Sequence, residues 1–170
     1  GSLFNCPCGD GNRLDEMYTN NGVSIDGTIH VRLIDWNGVP VVGFPAEDIW
    51  LQTAGGDLAF VHPGTCADSP TDQNGETVWV EPLAAGGYRH DQDVLGVWVN
   101  GYPLDAPPLS QIRFNSPDIS GDLIVNLTDI TYFAGDFFLQ YHYRSDFMRD
   151  GDVNLVDLTY MASHLGHTCP

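Results

Sequence analysis

The sequence predicts a mainly β protein, an antiparallel β-sandwich with a small α-helical part at its C-terminal end. Three observations predict it. From Thr28 to Arg113 apolar residues recur at every second position between glycine- and asparagine-rich turns. After Asn115-Ser116-Pro117 the apolar period becomes helical. An acidic twelve-residue unit then occurs twice, beginning at Asp118 and at Asp146. A chain of 170 residues, 42% hydrophobic and 17% charged, has the composition of a packed protein, and at that length it can bury about 70% of its unfolded surface.

Charge and cysteine content narrow the function classes. Twenty-three acidic residues face six basic ones, all arginine, for a formal charge of −17. With no lysine there is neither a P-loop lysine nor a Schiff-base nucleophile, and so negative a surface repels nucleic acid and anionic lipid. Cations and proteins are the expected partners. No apolar run reaches the ~18 residues of a spanning helix, so membrane insertion is not expected. Cys6, Cys8, Cys66 and Cys169 are even in number and lack metal-ligand spacing, which predicts two disulfides and an oxidising, extracellular compartment. A Cys6–Cys8 bridge would be strained, so the expected pairings join one of them to Cys66 and the other to Cys169. No basic, apolar leader is visible, so the expectation is either that one is cleaved before residue 1 or that Gly1-Ser2 is a processing scar or tag remnant.

Three segments follow. Residues 1–27 read as an irregular arm anchored by disulfides, because Gly9, Asp10, Gly11, Asn12, Asn20, Asn21 and Gly22 break any period. Residues 28–114 read as the sandwich. Ile29, Val31 and Leu33 alternate with His30, Arg32 and Ile34; Ile49 and Leu51 alternate with Trp50 and Gln52. Val78 and Val80 alternate with Thr77, Trp79 and Glu81, and Val97 and Val99 flank Trp98. Turns are marked at 35–38, 54–57, 72–75, 85–87 and 100–101, where glycine and asparagine supply positive φ. Asp35-Trp36-Asn37-Gly38-Val39-Pro40-Val41, followed by Thr71-Asp72-Gln73-Asn74-Gly75-Glu76-Thr77, resembles bacterial immunoglobulin-like domains of the invasin and carboxypeptidase-regulatory-like kinds. That resemblance implies a spacer or interaction module.

Residues 115–170 carry the repeat. Asp118-Ile-Ser-Gly-Asp-Leu-Ile-Val-Asn-Leu-Thr-Asp129 returns 28 residues later as Asp146-Phe-Met-Arg-Asp-Gly-Asp-Val-Asn-Leu-Val-Asp157. Calcium takes six to eight oxygens, which a twelve-residue loop supplies from positions 1, 3, 5, 7, 9 and 12. In the first loop these are Asp118, Ser120, Asp122, the Ile124 carbonyl, Asn126 and Asp129. In the second they are Asp146, Asp150, the Asp152 carbonyl, Asn154 and Asp157, while Met148 at position 3 predicts a weaker site. Position 6 wants glycine; Gly151 complies and Leu123 does not. Helix capping alone explains Asn126 with Asp129 and Asn154 with Asp157, but not the four aspartates before them. Leu127, Ile130, Phe133, Ala134 and Phe137 should line one helix face, and Leu155, Leu158, Met161, Ala162 and Leu165 the other, so that the two helices pack together.

Paired calcium loops, each followed by one helix, resemble type I dockerin domains over Ser116 to Gly166. The resemblance implies two Ca²⁺ sites and docking to a cohesin-like protein. At loop positions 10 and 11, where such domains typically carry a Ser-Thr pair, this chain has Leu127-Thr128 and Leu155-Val156. The apolar substitution points to another use of that surface. The expected function is therefore a secreted, non-catalytic calcium-binding structural protein, a self-assembling subunit of an extracellular fibre or surface layer. The alternatives are a module docking to a cohesin-like scaffold and a carbohydrate-binding module using Trp36, Trp50, Trp79 and Trp98. His164 and His167 stand three residues apart, without a third metal ligand in the sequence pattern.

Overall fold

The computed structural model describes residues 2–4, 9–19, 22–53, 58–60, 64–89, 94–105, 109 and 112–168. Over these residues the protein is mainly β. The strands are β1 (Ser2–Phe4), β2 (Met17–Tyr18), β3 (Ser24–Ile25), β4 (Ile29–Arg32), β5 (Ile49–Thr53), β6 (Leu58–Phe60), β7 (Glu76–Trp79), β8 (Ala85–Gly87), β9 (Leu95–Val99), β10 (Tyr102–Pro103) and β11 (Arg113–Asn115). Two α-helices follow among the described residues, α1 (Leu127–Phe138) and α2 (Leu155–Ser163), with a 3-10 turn at Tyr143–Ser145 between them. The strands form small sheets, β11-β1-β2-β3, β10-β9-β5, β4-β7 and β6-β8. All pairings are antiparallel except β1 with β11.

Two aspartate turns fix the register around β4 and β7, which pair from Ile29↔Trp79 to Arg32↔Glu76. Asp35 Oδ1 accepts from the amides of Asn37 and Val39, both at 2.8 Å. Asp72 Oδ1 accepts in the same way from Asn74 at 2.7 Å and Glu76 at 2.9 Å. Each turn ends in a glycine of positive φ, Gly38 at 80° and Gly75 at 76°. At Gly75 a Cβ would also stand 2.4 Å from the Leu33 carbonyl oxygen, so no other residue fits.

The alternation places Ile29, Leu33, Ile49, Leu51, Leu95 and Val97 in one core and leaves Ile34 exposed. In β7 two apolar phases compete. Thr77 and Trp79 turn inward while Val78 stays half-buried, because the indole has the larger apolar area and its Nε1 finds a partner, the Thr65 carbonyl at 3.0 Å.

Three expectations are corrected. The arm is not irregular throughout: β1, β2 and β3 join β11 in a four-stranded sheet, and Leu14 and Met17 are fully buried. Strands of two or three residues are too short to show a period of two, so only their turns were visible in the sequence. The helix faces are rotated from the expected ones. Leu127, Leu155, Leu158 and Leu165 are exposed, while Asp129, Phe133, Asp157 and Met161 are buried. The aspartate at the third position of each helix has to face its loop, and that sets the inward side. The helices also meet through an intermediary: Phe133 stacks on Phe147 at 6.1 Å, and Phe147 lies against Tyr160 at 6.0 Å. Cys6, Cys8 and Cys169 lie outside the described residues; Cys66 is half-buried, its Sγ 3.5 Å from the Glu47 carbonyl oxygen. The turn at 54–57 also lies outside them.

The amides of Val39 and Glu76, with their companions, hold the Asp35 and Asp72 carboxyls below the usual aspartate range. Their contribution to stability is thus complete above the unfolded value of about 3.9 and is lost only as pH falls through the lower folded values. Amide shifts of Val39 and Glu76 followed by NMR should titrate below about 3.9; midpoints at or above that value contradict the turn geometry.

Candidate metal centre

Each acidic loop is built backwards from the helix that follows it. Asn126 caps α1, its Oδ1 accepting from Thr128 N at 2.7 Å, while Asp129 Oδ2 accepts from Asn126 N at 2.8 Å. Asn154 caps α2 through Val156 N at 2.8 Å, and Asp157 Oδ2 accepts from Asn154 N at 3.0 Å. These reciprocal caps turn Asp129 and Asp157 back over their loops. The second oxygen of each then takes the amide at loop position 3, Ser120 N at 2.8 Å and Met148 N at 2.9 Å. Met148 thus matches Ser120 in backbone although its side chain packs into the core of Ile119, Phe133, Phe147 and Met161.

The first aspartate of each loop is buried and caged by amides. Asp118 accepts from Gly121 N at 2.9 Å, Asp122 N at 3.2 Å, Leu123 N at 2.8 Å and the Ser120 hydroxyl at 3.2 Å. Asp146 accepts from Asp150 N at 3.1 Å, Gly151 N at 3.0 Å and the Tyr141 hydroxyl at 3.0 Å. Wrapping amides around one carboxylate requires left-handed backbone at positions 4 and 6. Gly121 and Leu123 have φ of 74° and 68°; Arg149 and Gly151 have 58° and 93°. Each loop therefore has glycine at one of these positions and a strained residue at the other. Leu123 departs from the glycine rule in sequence yet obeys it in conformation.

Carboxylate oxygens of Asp118, Asp122 and Asp129 lie within 4.8 Å of one another, and those of Asp146, Asp150 and Asp157 do the same. Burial is the largest cause pushing the Asp118 and Asp146 carboxyls above the usual range; the neighbouring Asp129 and Asp157 add to it. Among the sequence-assigned ligands, the asparagines behave differently. Their oxygens cap the helices, and Asn126 Nδ2 faces Asp122 Oδ2 and the Ile124 carbonyl at 3.3 and 3.1 Å, as Asn154 Nδ2 faces Asp150 Oδ2 at 3.3 Å. The other sequence-assigned oxygens are the carboxylates of the six aspartates, the Ser120 hydroxyl and the carbonyls of Ile124 and Asp152. Such an all-oxygen set suits a hard divalent ion.

Residues outside the repeat complete the loops, and sequence reasoning missed them. Gly86 in β8 lies so close that a Cβ there would stand 2.0 Å from Asp118 Oδ2, and the Gly87 amide donates to the Asp118 carbonyl. Asn115 in β11 donates from Nδ2 to the carbonyls of Tyr143 and Asp146, each at 3.1 Å. Arg149 extends to Asn12 Oδ1 at 2.6 Å and lies over the Tyr18 ring at 4.8 Å. Arg144 forks onto Asp136 at 2.7 and 3.0 Å and lies over the rings of Tyr88 and Tyr132. The loops are thereby bonded to the β-rich part on several sides.

Two contrasts test this construction. Left-handed backbone costs a non-glycine residue about 1–2 kcal/mol, against about 0.4–1 kcal/mol of unfolded-chain entropy on introducing glycine. Leu123→Gly should therefore be neutral or stabilising in a calorimetric melt. Arg149→Gly relieves the same strain but removes the contacts with Asn12 and Tyr18, and should lower the melting temperature; the reverse order contradicts the assignment. Gly86→Ala should destabilise by about 1–3 kcal/mol through overpacking and disturb the first loop, read from its NMR shifts, while leaving those of the second unchanged.

No family model matches this sequence, and no curated protein does so. A structural match is a chain of the crystal structure of an interface mutant of a type II cohesin–X–dockerin complex from Acetivibrio cellulolyticus. It has 17% sequence identity and a TM-score of 0.30, over 83% of this chain and 96% of that one. An overlap that weak does not establish a shared fold.

Proposed function

We propose that this chain is a secreted, non-catalytic structural protein whose C-terminal loops bind two Ca²⁺ ions in a dockerin-like pair, behind an immunoglobulin-like β-rich part. The observation that carries the calcium reading is the matched cage. Two loops of different sequence bury their first aspartate, gather three carboxylates within 4.8 Å and adopt left-handed backbone at the same two positions. Without a cation each loop holds three carboxylates together; a divalent ion offsets that repulsion and the burial of Asp118 and Asp146. Ca²⁺ fits because the donors are hard oxygens on a flexible loop.

Association between copies is the use we propose for the exposed apolar residues of the helices. Leu127, Phe138, Leu139, Leu155 and Val156 are 75, 77, 86, 67 and 55% exposed. Leu155 and Val156, with Tyr160 and Met148, also line a shallow groove of about 480 Å³ along α2. Of the other aromatics, Tyr143 is buried and Tyr18 lies beneath Arg149, so both serve to join segments within one chain. Two bound Ca²⁺ would bring the formal charge from −17 to −13, which leaves repulsion between copies for apolar contact to overcome. Leu127, Leu155 and Val156 occupy the positions through which dockerin-like helices would meet a cohesin-like protein, and their exposure keeps that alternative as the second reading.

Calcium at about a thousandfold above its Kd contributes about 4 kcal/mol per site. Excess chelator should therefore lower the melting temperature by more than about ten degrees; an unchanged melt contradicts calcium binding. Light scattering in millimolar calcium should show mass rising with protein concentration, and Phe138→Ser with Leu139→Ser should suppress it. A monomer at every concentration removes self-assembly and leaves docking to another protein.

A further inference from the structure

His164 and His167 lack a third ligand in the sequence, and the fold supplies one from the opposite end of the chain. Asp10 reaches the C-terminal turn, so that one carboxylate oxygen and one nitrogen from each imidazole lie within 4.8 Å of one another. We propose that Asp10, His164 and His167 form a third metal site, separate from the acidic loops, which takes zinc or a similar borderline divalent ion and clips the two ends of the chain together.

The backbone presents the two imidazoles on a fixed turn. His164 ends α2, Gly166 reverses the chain at φ 88°, and His167 N donates to the His164 carbonyl at 3.0 Å. That turn is stitched to the first acidic loop, with Gly166 N on the Val125 carbonyl at 2.8 Å and Val125 N on the His167 carbonyl at 2.9 Å. Asp10 belongs to the segment that Arg149 holds through Asn12. The facing groups are thus brought together by contacts that do not involve a metal.

Donor chemistry separates this site from the loops. His164 Nδ1 lies 2.9 Å from the Tyr160 carbonyl oxygen. That oxygen can only accept, while the Ser163 hydroxyl 3.1 Å from Nδ1 can take either role; a ring protonated on Nδ1 coordinates a metal through Nε2. A carbonyl behind the far nitrogen is how proteins orient metal-binding histidines. Two imidazoles and a carboxylate suit zinc and its neighbours, whereas calcium takes oxygens. Zinc bound at about 2.0–2.1 Å draws its donors to within about 3.3 Å of one another. His167 Nδ1 is already 4.0 Å from Asp10 Oδ2, and both side chains are about half exposed, so a small rotation closes the site and water fills the fourth position. A link from residue 10 to residue 164 closes most of the chain, where a metal clip restricts the unfolded state most.

The test is independent of the calcium reading. Tag-free full-length protein in millimolar calcium is titrated with zinc chloride by calorimetry and with cobalt(II) as a visible probe. We expect one zinc per chain, with ligand-field bands from cobalt. His164→Ala with His167→Ala should weaken zinc by more than the about 10–100-fold that a second-shell change costs, with calcium uptake unchanged. Asp10→Asn, at an exposed position that cannot prevent folding, should weaken it as well. Failure of the wild type to bind zinc, or equal binding by the wild type and both variants, overturns the proposal.

Discussion

Burying the first carboxylate of each loop is the constraint from which much of this structure follows. An ionised carboxylate inside a protein is costly unless hydrogen bonds or a cation compensate it. Asp118 and Asp146 are 0 and 3% exposed, so both loops must aim backbone amides at a single side chain. Doing so forces left-handed backbone at two positions per loop. It also draws in the third helical residue, Asp129 or Asp157, which rotates each helix and pushes Leu127 and Leu155 into solvent. The exposed apolar helix surface is therefore a consequence of loop chemistry.

Arginine is one means by which the rest of the chain is attached to these loops. The protein has six arginines and no lysine, and three of the six lie over tyrosine rings: Arg113 over Tyr143, Arg144 over Tyr88 and Tyr132, and Arg149 over Tyr18. A planar guanidinium can stack and bond within its plane at once, which an ammonium cannot. Arg144 does both, pairing with Asp136 and donating to the Tyr88 hydroxyl while it lies over the Tyr88 ring. Arg149 explains its own departure from glycine at a left-handed position, since its side chain reaches the N-terminal segment. The strain stays where a contact across the chain depends on it.

The local chemistry was legible in the sequence and the long-range contacts were not. Asp35 and Asp72 announce their turns because each bonds amides two and four residues ahead. The capping boxes and the aspartate spacing are likewise local. Gly86 reads in sequence as part of a turn at 85–87, whereas it lies in strand β8 and its role is to leave room for a carboxylate 32 residues later. Asp10 has no meaning until the fold sets it beside His164 and His167. The helix faces were misread because apolar periodicity counts Leu127 and Leu155 as inward, whereas the buried aspartate in the first turn decides the rotation. Trp79 shows the same limit, since two apolar phases overlap in β7 and only packing chooses between them.

The central claim is that the two loops are equivalent cation sites despite Met148 and Leu123, because backbone and the caged aspartates, rather than every side chain, define them. Calcium titration of the full chain by calorimetry, beside Asp118→Asn and Asp146→Asn, tests it most directly. The account predicts two ions for the wild type and one for each variant, with each variant losing a different site. No calcium uptake at millimolar concentration, or two ions retained in both variants, would contradict it.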